Sequence, residues 1–141
     1  MLKGINPLFG PDLLHALASM GHGDELVIAD RNFPSNRVGQ RVVELRGHDA
    51  TTVATALMEI LPLDFALDSP VLRMATAEGP EDVPPVHAEI ISAVTPHLNE
   101  GQTVGALERF AFYERAEKAF VVIVTGETRA YGDFIISKGV L

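Results

Sequence analysis

Residues 20–30 read "MGHGDELVIAD", and this stretch decides the fold. Leu26, Val27, Ile28 and Ala29 form an unbroken apolar run, the pattern of a strand buried on both faces. Just upstream, "NPLFGPDLLHALASMG" opens with turn formers. Pro11 suits the first helical position, and Asp12 suits the first turn. Leu13, Leu14, Leu17 and Met20 then recur at helical spacing, and Gly21 is a natural helix stop. A helix that ends at a glycine and is followed by a doubly buried strand is a unit of layered α/β architecture.

The unit recurs along the chain. "RVVELRG" (41–47) reads as a strand, and "DATTVATALMEILPL" (49–63) as a helix with Asp49 as its cap. "VLRMATA" (71–77) reads as a third strand, and "VPPVHAEIISAV" (83–94) as a helix opening on proline. "GALERFAFYERAEKAF" (105–120) reads as a charged helical stretch, "FVVIVTGE" (120–127) as the most strand-like segment, and "AYGDFIISKG" (130–139) as a last strand. "RNFPSNRVGQ" (31–40) reads as a polar loop. These readings predict one domain over 1–141, an α/β layered fold with a mostly parallel central sheet flanked by helices. The last two strands, only a few residues apart, are expected to pair as a hairpin.

Bulk composition narrows the function. The 141 residues are 47% hydrophobic and 21% charged, which suits a globular chain with one core. A net charge of -8 with no basic cluster argues against nucleic acid, which is bound by neutralising phosphates. No apolar run approaches the roughly 20 residues that span a bilayer, so no membrane partner is expected. The first residues, "MLKGINPLFG", are too interrupted to read as a signal peptide. With no cysteine there is no disulfide framework, thiolate zinc site or thiol nucleophile, and a cytoplasmic setting is expected.

Several residues could carry chemistry. His22, between Gly21 and Gly23, is a usable acid and base near neutrality, or a solvated loop histidine. Asp30 follows a buried strand, where ligands of parallel sheets bind; it reads as a hydroxyl acceptor or as a loop-capping acid. Arg109 offers a fork of donors that can grip vicinal hydroxyls, or it opens an ordinary amphipathic helix. Tyr113 adds a phenol or packs in the core. Tyr131, Gly132 and Asp133 offer a flat ring, a glycine that lets a ligand approach the backbone, and a carboxyl; the alternative is a strand-entry turn. No histidine pair has metal-ligand spacing, and no Walker or Rossmann glycine fingerprint is present, so neither metal nor cofactor is expected.

Together, "MGHGDELVIAD" and "FAFYERAEKAFVVIVTGETRAYGDFIISKGV" (110–140) resemble the ribose pyranase and L-fucose mutarotase family over nearly the whole chain. "RFAFYERA" is similar to its fucose branch. The resemblance implies an isomerase that interconverts the α and β anomers of L-fucose or a related free aldose by acid–base ring opening and closing. A ribose-type pyranase on the same site, and a non-catalytic monosaccharide binder, are the alternatives. By the same resemblance His22 matches the proton donor, and Asp30, Arg109 and Tyr131-Gly132-Asp133 match the substrate contacts. Asp133 departs from the asparagine usual there. The resemblance also implies a homo-oligomer, a pentamer-based ring or decamer. Its site would lie at a subunit interface, with the C-terminal segment coming from the adjacent chain.

Overall fold

The computed structural model describes residues 2–141. Six strands form one sheet: β1 (Glu25–Ala29), β2 (Val42–Leu45), β3 (Val71–Met74), β4 (Val104–Leu107), β5 (Val121–Thr125) and β6 (Phe134–Ser137). Their spatial order is β2-β5-β1-β6-β3-β4. β6 is antiparallel to both neighbours, and every other pairing is parallel. Five helices cover the sheet: α1 (Pro11–Ser19), α2 (Ser35–Val38), α3 (Ala50–Met58), α4 (Pro85–Val94) and α5 (Arg109–Lys118).

The unbroken apolar runs follow from this layering. Successive strand side chains point to opposite faces. Leu26 and Ile28 of β1, with Val121 and Ile123 of β5, enter the core beneath α1, α3 and α4. Val27 and Ala29, with Val122, enter the second core beneath α2 and α5. Two helix starts are capped by acids. Asp49 accepts from the Thr52 amide at 2.7 Å, and Glu108 accepts from the amides of Phe110 and Ala111. No helix among the described residues is long and apolar enough to cross a membrane.

Three expectations need correction. The last two strands do not form a hairpin, because β1 lies between them. β1 is buried on both faces and needs a ladder partner on each side. It takes β5 in parallel and β6 antiparallel, while the connector 126–133 passes over its end, its Glu127 carbonyl accepting from the Arg31 amide. Residues 31–40 are not wholly a loop. Phe33 and Val38 are buried, and Phe33 meets Phe112 edge-on at 6.0 Å, which anchors the short α2. Residues 104–107 are a strand that pairs with β3, so the helical stretch starts at Arg109 rather than 105.

Candidate active site

The parallel strands β1, β3 and β4 end at one edge of the sheet, and the antiparallel β6 begins there. Ligands of α/β sheets bind beyond such carboxyl ends. Asp30 follows β1, Arg109 follows β4 and Asp133 precedes β6, so the topology alone gathers them. With Tyr113 and Tyr131 they line one cleft of about 260 Å³. Arg109 and Tyr131 also face an adjoining, more apolar cleft of about 460 Å³, walled by Ala75, Pro80 and Ala106.

Both carboxylates are tied down. Asp30 Oδ1 accepts from the amides of Asn32 (2.8 Å) and Phe33 (2.9 Å), which fixes the turn after β1. Asp133 Oδ1 accepts from the Asp30 amide at 2.8 Å. Both residues are buried. Burial pushes the Asp133 carboxyl well above the usual carboxylate range, and the neighbouring Asp30 charge pushes the same way. Arg109 is exposed; its Nε points to the Tyr113 hydroxyl at 3.4 Å, leaving the rest of the guanidinium fork for a ligand. Tyr113 lines the cleft while its ring packs on Phe33 at 5.4 Å.

Tyr131 is the described non-glycine residue with positive φ, at 63°. Such a conformation persists only when its surroundings hold it. Here the buried His87 does so, with Nε2 2.7 Å from the Tyr131 carbonyl and Nδ1 3.2 Å from an Arg73 guanidinium nitrogen. Arginine only donates, so Nδ1 accepts and Nε2 carries the hydrogen. Burial pushes the His87 pKa down, in keeping with this neutral tautomer. Arg73 also donates to the carbonyls of Pro80 and Asp82. On the other side, Arg129 bridges buried Glu127 and exposed Glu89, holding the connector against α4. Asp64, Arg73 and His87 escaped the sequence reading. Only Arg73 gave a signal, as a charge inside the apolar strand "VLRM".

Gly132 has a packing role that the sequence reading did not include. It is absent from the cleft lining, and a Cβ there would lie 2.7 Å from Glu127 Cγ. The glycine lets the connector pack closely on Glu127. Gly132→Ala is expected to cost about 1–3 kcal/mol through overpacking, read as a lowered urea midpoint with unchanged slope.

His22 lies elsewhere. It precedes β1, whereas Asp30 follows it, so a strand length of about 13 Å separates them within one chain. The C-terminal segment expected from a neighbour instead shares a cleft with Asp30 and Arg109 of its own chain. The turn holding His22 uses Gly23 at φ 81°. His22 Nε2 sits 3.2 Å from Asp64 Oδ1, and its half-exposed ring stacks on the exposed Phe65 at 6.4 Å. Asp64 is buried and also accepts from the Ala66 amide at 2.9 Å; that bond, with His22 adding to it, holds the carboxyl below its usual range. The Asp64 contact occupies Nε2 and leaves Nδ1 as the other ring nitrogen.

Fold and cleft define a small α/β protein able to hold a compact, hydroxyl-rich molecule between carboxyl, phenol and guanidinium groups. The family described as RbsD / FucU transport protein matches residues 3–141, and the chain belongs to it. A curated relative from Histophilus somni, named L-fucose mutarotase, is 39% identical over 140 residues, covering 99% of this chain and 97% of the relative. The crystal structure of the fucose mutarotase from Streptococcus pneumoniae in complex with L-fucose is similar at a TM-score of 0.92 and 35% identity, covering 99% of each chain. The FucU structure from Bifidobacterium longum is similar at a TM-score of 0.90 and 39% identity, again covering 99% of each chain.

Proposed function

We propose that this protein is an isomerase that interconverts the α and β anomers of L-fucose, or of a closely related free aldose. The observation that carries the reading is the cleft itself: Asp30, Arg109, Tyr131 and Asp133 converge in a chain similar over its full length to a fucose mutarotase. Anomer exchange delivers a proton to the ring oxygen and removes one from the anomeric hydroxyl. The ring opens to the aldehyde, the carbonyl face turns, and the ring closes. Carboxyl and guanidinium groups hold the sugar hydroxyls, and tyrosine faces pack on its C–H groups. His22 exchanges the proton.

Within one chain His22 lies too far from Asp30 to do this, so the reading includes a homo-oligomer, a pentamer-based ring or decamer. Each cleft receives the His22–Phe65 knuckle of a second copy. The protruding Phe65 and the apolar walls of the larger cleft support such a contact. A cytoplasmic setting, where free sugars are metabolised, suits a chain without cysteine. The same separation of His22 from Asp30 favours a second reading, in which each chain binds a monosaccharide without turning it over.

Co-expressing His22→Ala and Arg109→Ala chains decides between them. Saturation-transfer NMR on the anomeric protons of L-fucose and D-ribose reads the exchange. Each variant alone is expected to be inactive. The mixed oligomer is expected to recover about a quarter of wild-type exchange, because random assembly leaves that share of shared sites intact. No recovery in a verified mixed oligomer, or full activity in a 15.2 kDa monomer, would overturn the shared site. Acceleration confined to ribose would make the protein a pyranase. Sugar binding without exchange in the wild type would establish the binder.

A further inference from the structure

The chemistry of the cleft floor has a feature beyond anomer exchange itself. Asp30 and Asp133 are 5% and 3% exposed and line the same cleft. Each has its Oδ1 committed to backbone amides, two on Asp30 and one on Asp133. Among the described residues neither carboxyl has a cation within 4.0 Å. The groups facing the pair can be named element by element. Helix α5 supplies Arg109 and Tyr113, with the Arg109 Nε turned to the Tyr113 hydroxyl. The connector supplies Tyr131. Strand β3 supplies uncharged Met74, whose amide donates to the Asp133 carbonyl. Arg73 is engaged by Pro80, Asp82 and His87, and His87 is neutral behind the Tyr131 carbonyl.

We propose that buried Asp133 keeps its proton in this cleft, and that in its neutral form it donates a hydrogen bond to a sugar hydroxyl. Two like charges enclosed together without a counter-ion cannot both ionise cheaply. Among the described residues a single amide is all that steadies a charge on Asp133, so the buried carboxyl keeps its proton. A neutral carboxylic acid has one O–H donor and a carbonyl acceptor. With Oδ1 accepting the Asp30 amide, the hydroxyl on Oδ2 can give its hydrogen to the ligand. Burial and the Asp30 charge both push the Asp133 pKa upward, in agreement. When Asp133 releases its proton to solvent at higher pH, the donor is lost and a second negative charge appears beside the sugar oxygens. Ligand binding then weakens.

The inference rests on the sugar reading, and two measurements on the intact oligomer separate them. The first needs no sugar. A group whose native pKa is raised gives stability that is fully present below the unfolded pKa and is lost as pH rises towards the native one. The urea midpoints of wild type and Asp133→Asn are therefore expected to coincide near pH 4 and to diverge in favour of Asp133→Asn as pH rises. The second is the dissociation constant of L-fucose by calorimetry between pH 5 and 9. Wild-type affinity is expected to fall by about tenfold per unit once Asp133 ionises. Asp133→Asn, which keeps a donor at the same place, is expected to keep the low-pH affinity throughout. Parallel midpoints at every pH would overturn the retained proton. Diverging midpoints with the same pH profile of binding in both proteins, or with no sugar bound by either, would overturn the donor role.

Discussion

His22→Ala is expected to slow anomer exchange by about 10²–10⁴-fold, the share typical of one positioned acid or base. The fold should survive the change. The ring is half exposed, on a turn whose shape is set by Gly23, by the Gly23 amide on the Lys138 carbonyl, and by the Gly21 amide on Asp24. The side chain itself gives up only its contact with Asp64 and its stacking on Phe65. On the shared-site reading, His22 of the second copy meets only the reacting centre, so sugar affinity should change far less than the exchange rate. Saturation transfer gives the exchange rate, and calorimetry on the same sample gives the affinity. A variant that binds normally and exchanges at the wild-type rate would remove His22 from the mechanism. His22→Gln, which keeps a donor towards Asp64 but cannot transfer a proton, should be as slow as the alanine variant.

Arg73→Leu is expected to destabilise the fold by about 2–4 kcal/mol. His87 Nδ1 would lose its donor in a buried setting, at about 1–3 kcal/mol for a buried group left unsatisfied, and the carbonyls of Pro80 and Asp82 would lose theirs in a partly buried one, at a smaller cost. Relief from burying a cation offsets part of the loss. The urea midpoint measures this, and a change within about 0.5 kcal/mol, the range of a neutral surface substitution, would show that the network does not hold the loop. A second effect reaches the cleft. Without Arg73, the Tyr131 carbonyl alone favours hydrogen on Nε2, and the tautomer is less firmly held. A ring with hydrogen on Nδ1 turns a lone pair to the Tyr131 carbonyl, and the strained Tyr131 backbone relaxes. Sugar binding should weaken in a fraction of the folded protein that Arg73→Lys partly restores, since an ammonium can still donate to one or two of the three acceptors.

The limits of the sequence reading have physical causes. β1 and β5 were plain because both faces of each are buried, which gives the continuous apolar runs 26–29 and 121–124. β4 was missed because it is a half-buried edge strand containing Gly105 and Ala106, which promise no strand on their own. The sheet order was out of reach: the β1–β6 register pairs Leu26 with Ile136, and no local pattern encodes so distant a partner. In the site, Asp30, Arg109, Tyr131 and Asp133 were recognisable as hydroxyl-binding types near strand ends, and the structure collects them. The strand between His22 and Asp30 was legible, but that Asp64 and Phe65 would meet His22 at its start was not, because those contacts come from a distant stretch of chain. Asp64 and His87 act through tertiary contacts alone, with Asp64 set in an unremarkable leucine-rich stretch.

The position of β6 bears on how the chain reaches this state. It is the latest strand in sequence order, yet it lies inside the sheet and joins two halves, β2-β5-β1 and β3-β4, that otherwise do not touch through a ladder. Every contact that closes the sheet is therefore a long loop closure, the kind that slows folding. Before β6 docks, β1 and β3 each expose a row of unpaired amides and carbonyls, flanked mostly by apolar side chains. Nascent or heat-opened chains would pass through that state, and the same two edges would be available to the β6 of another molecule. The ordering of the strands thus makes this sheet prone to strand exchange and aggregation until its final piece arrives.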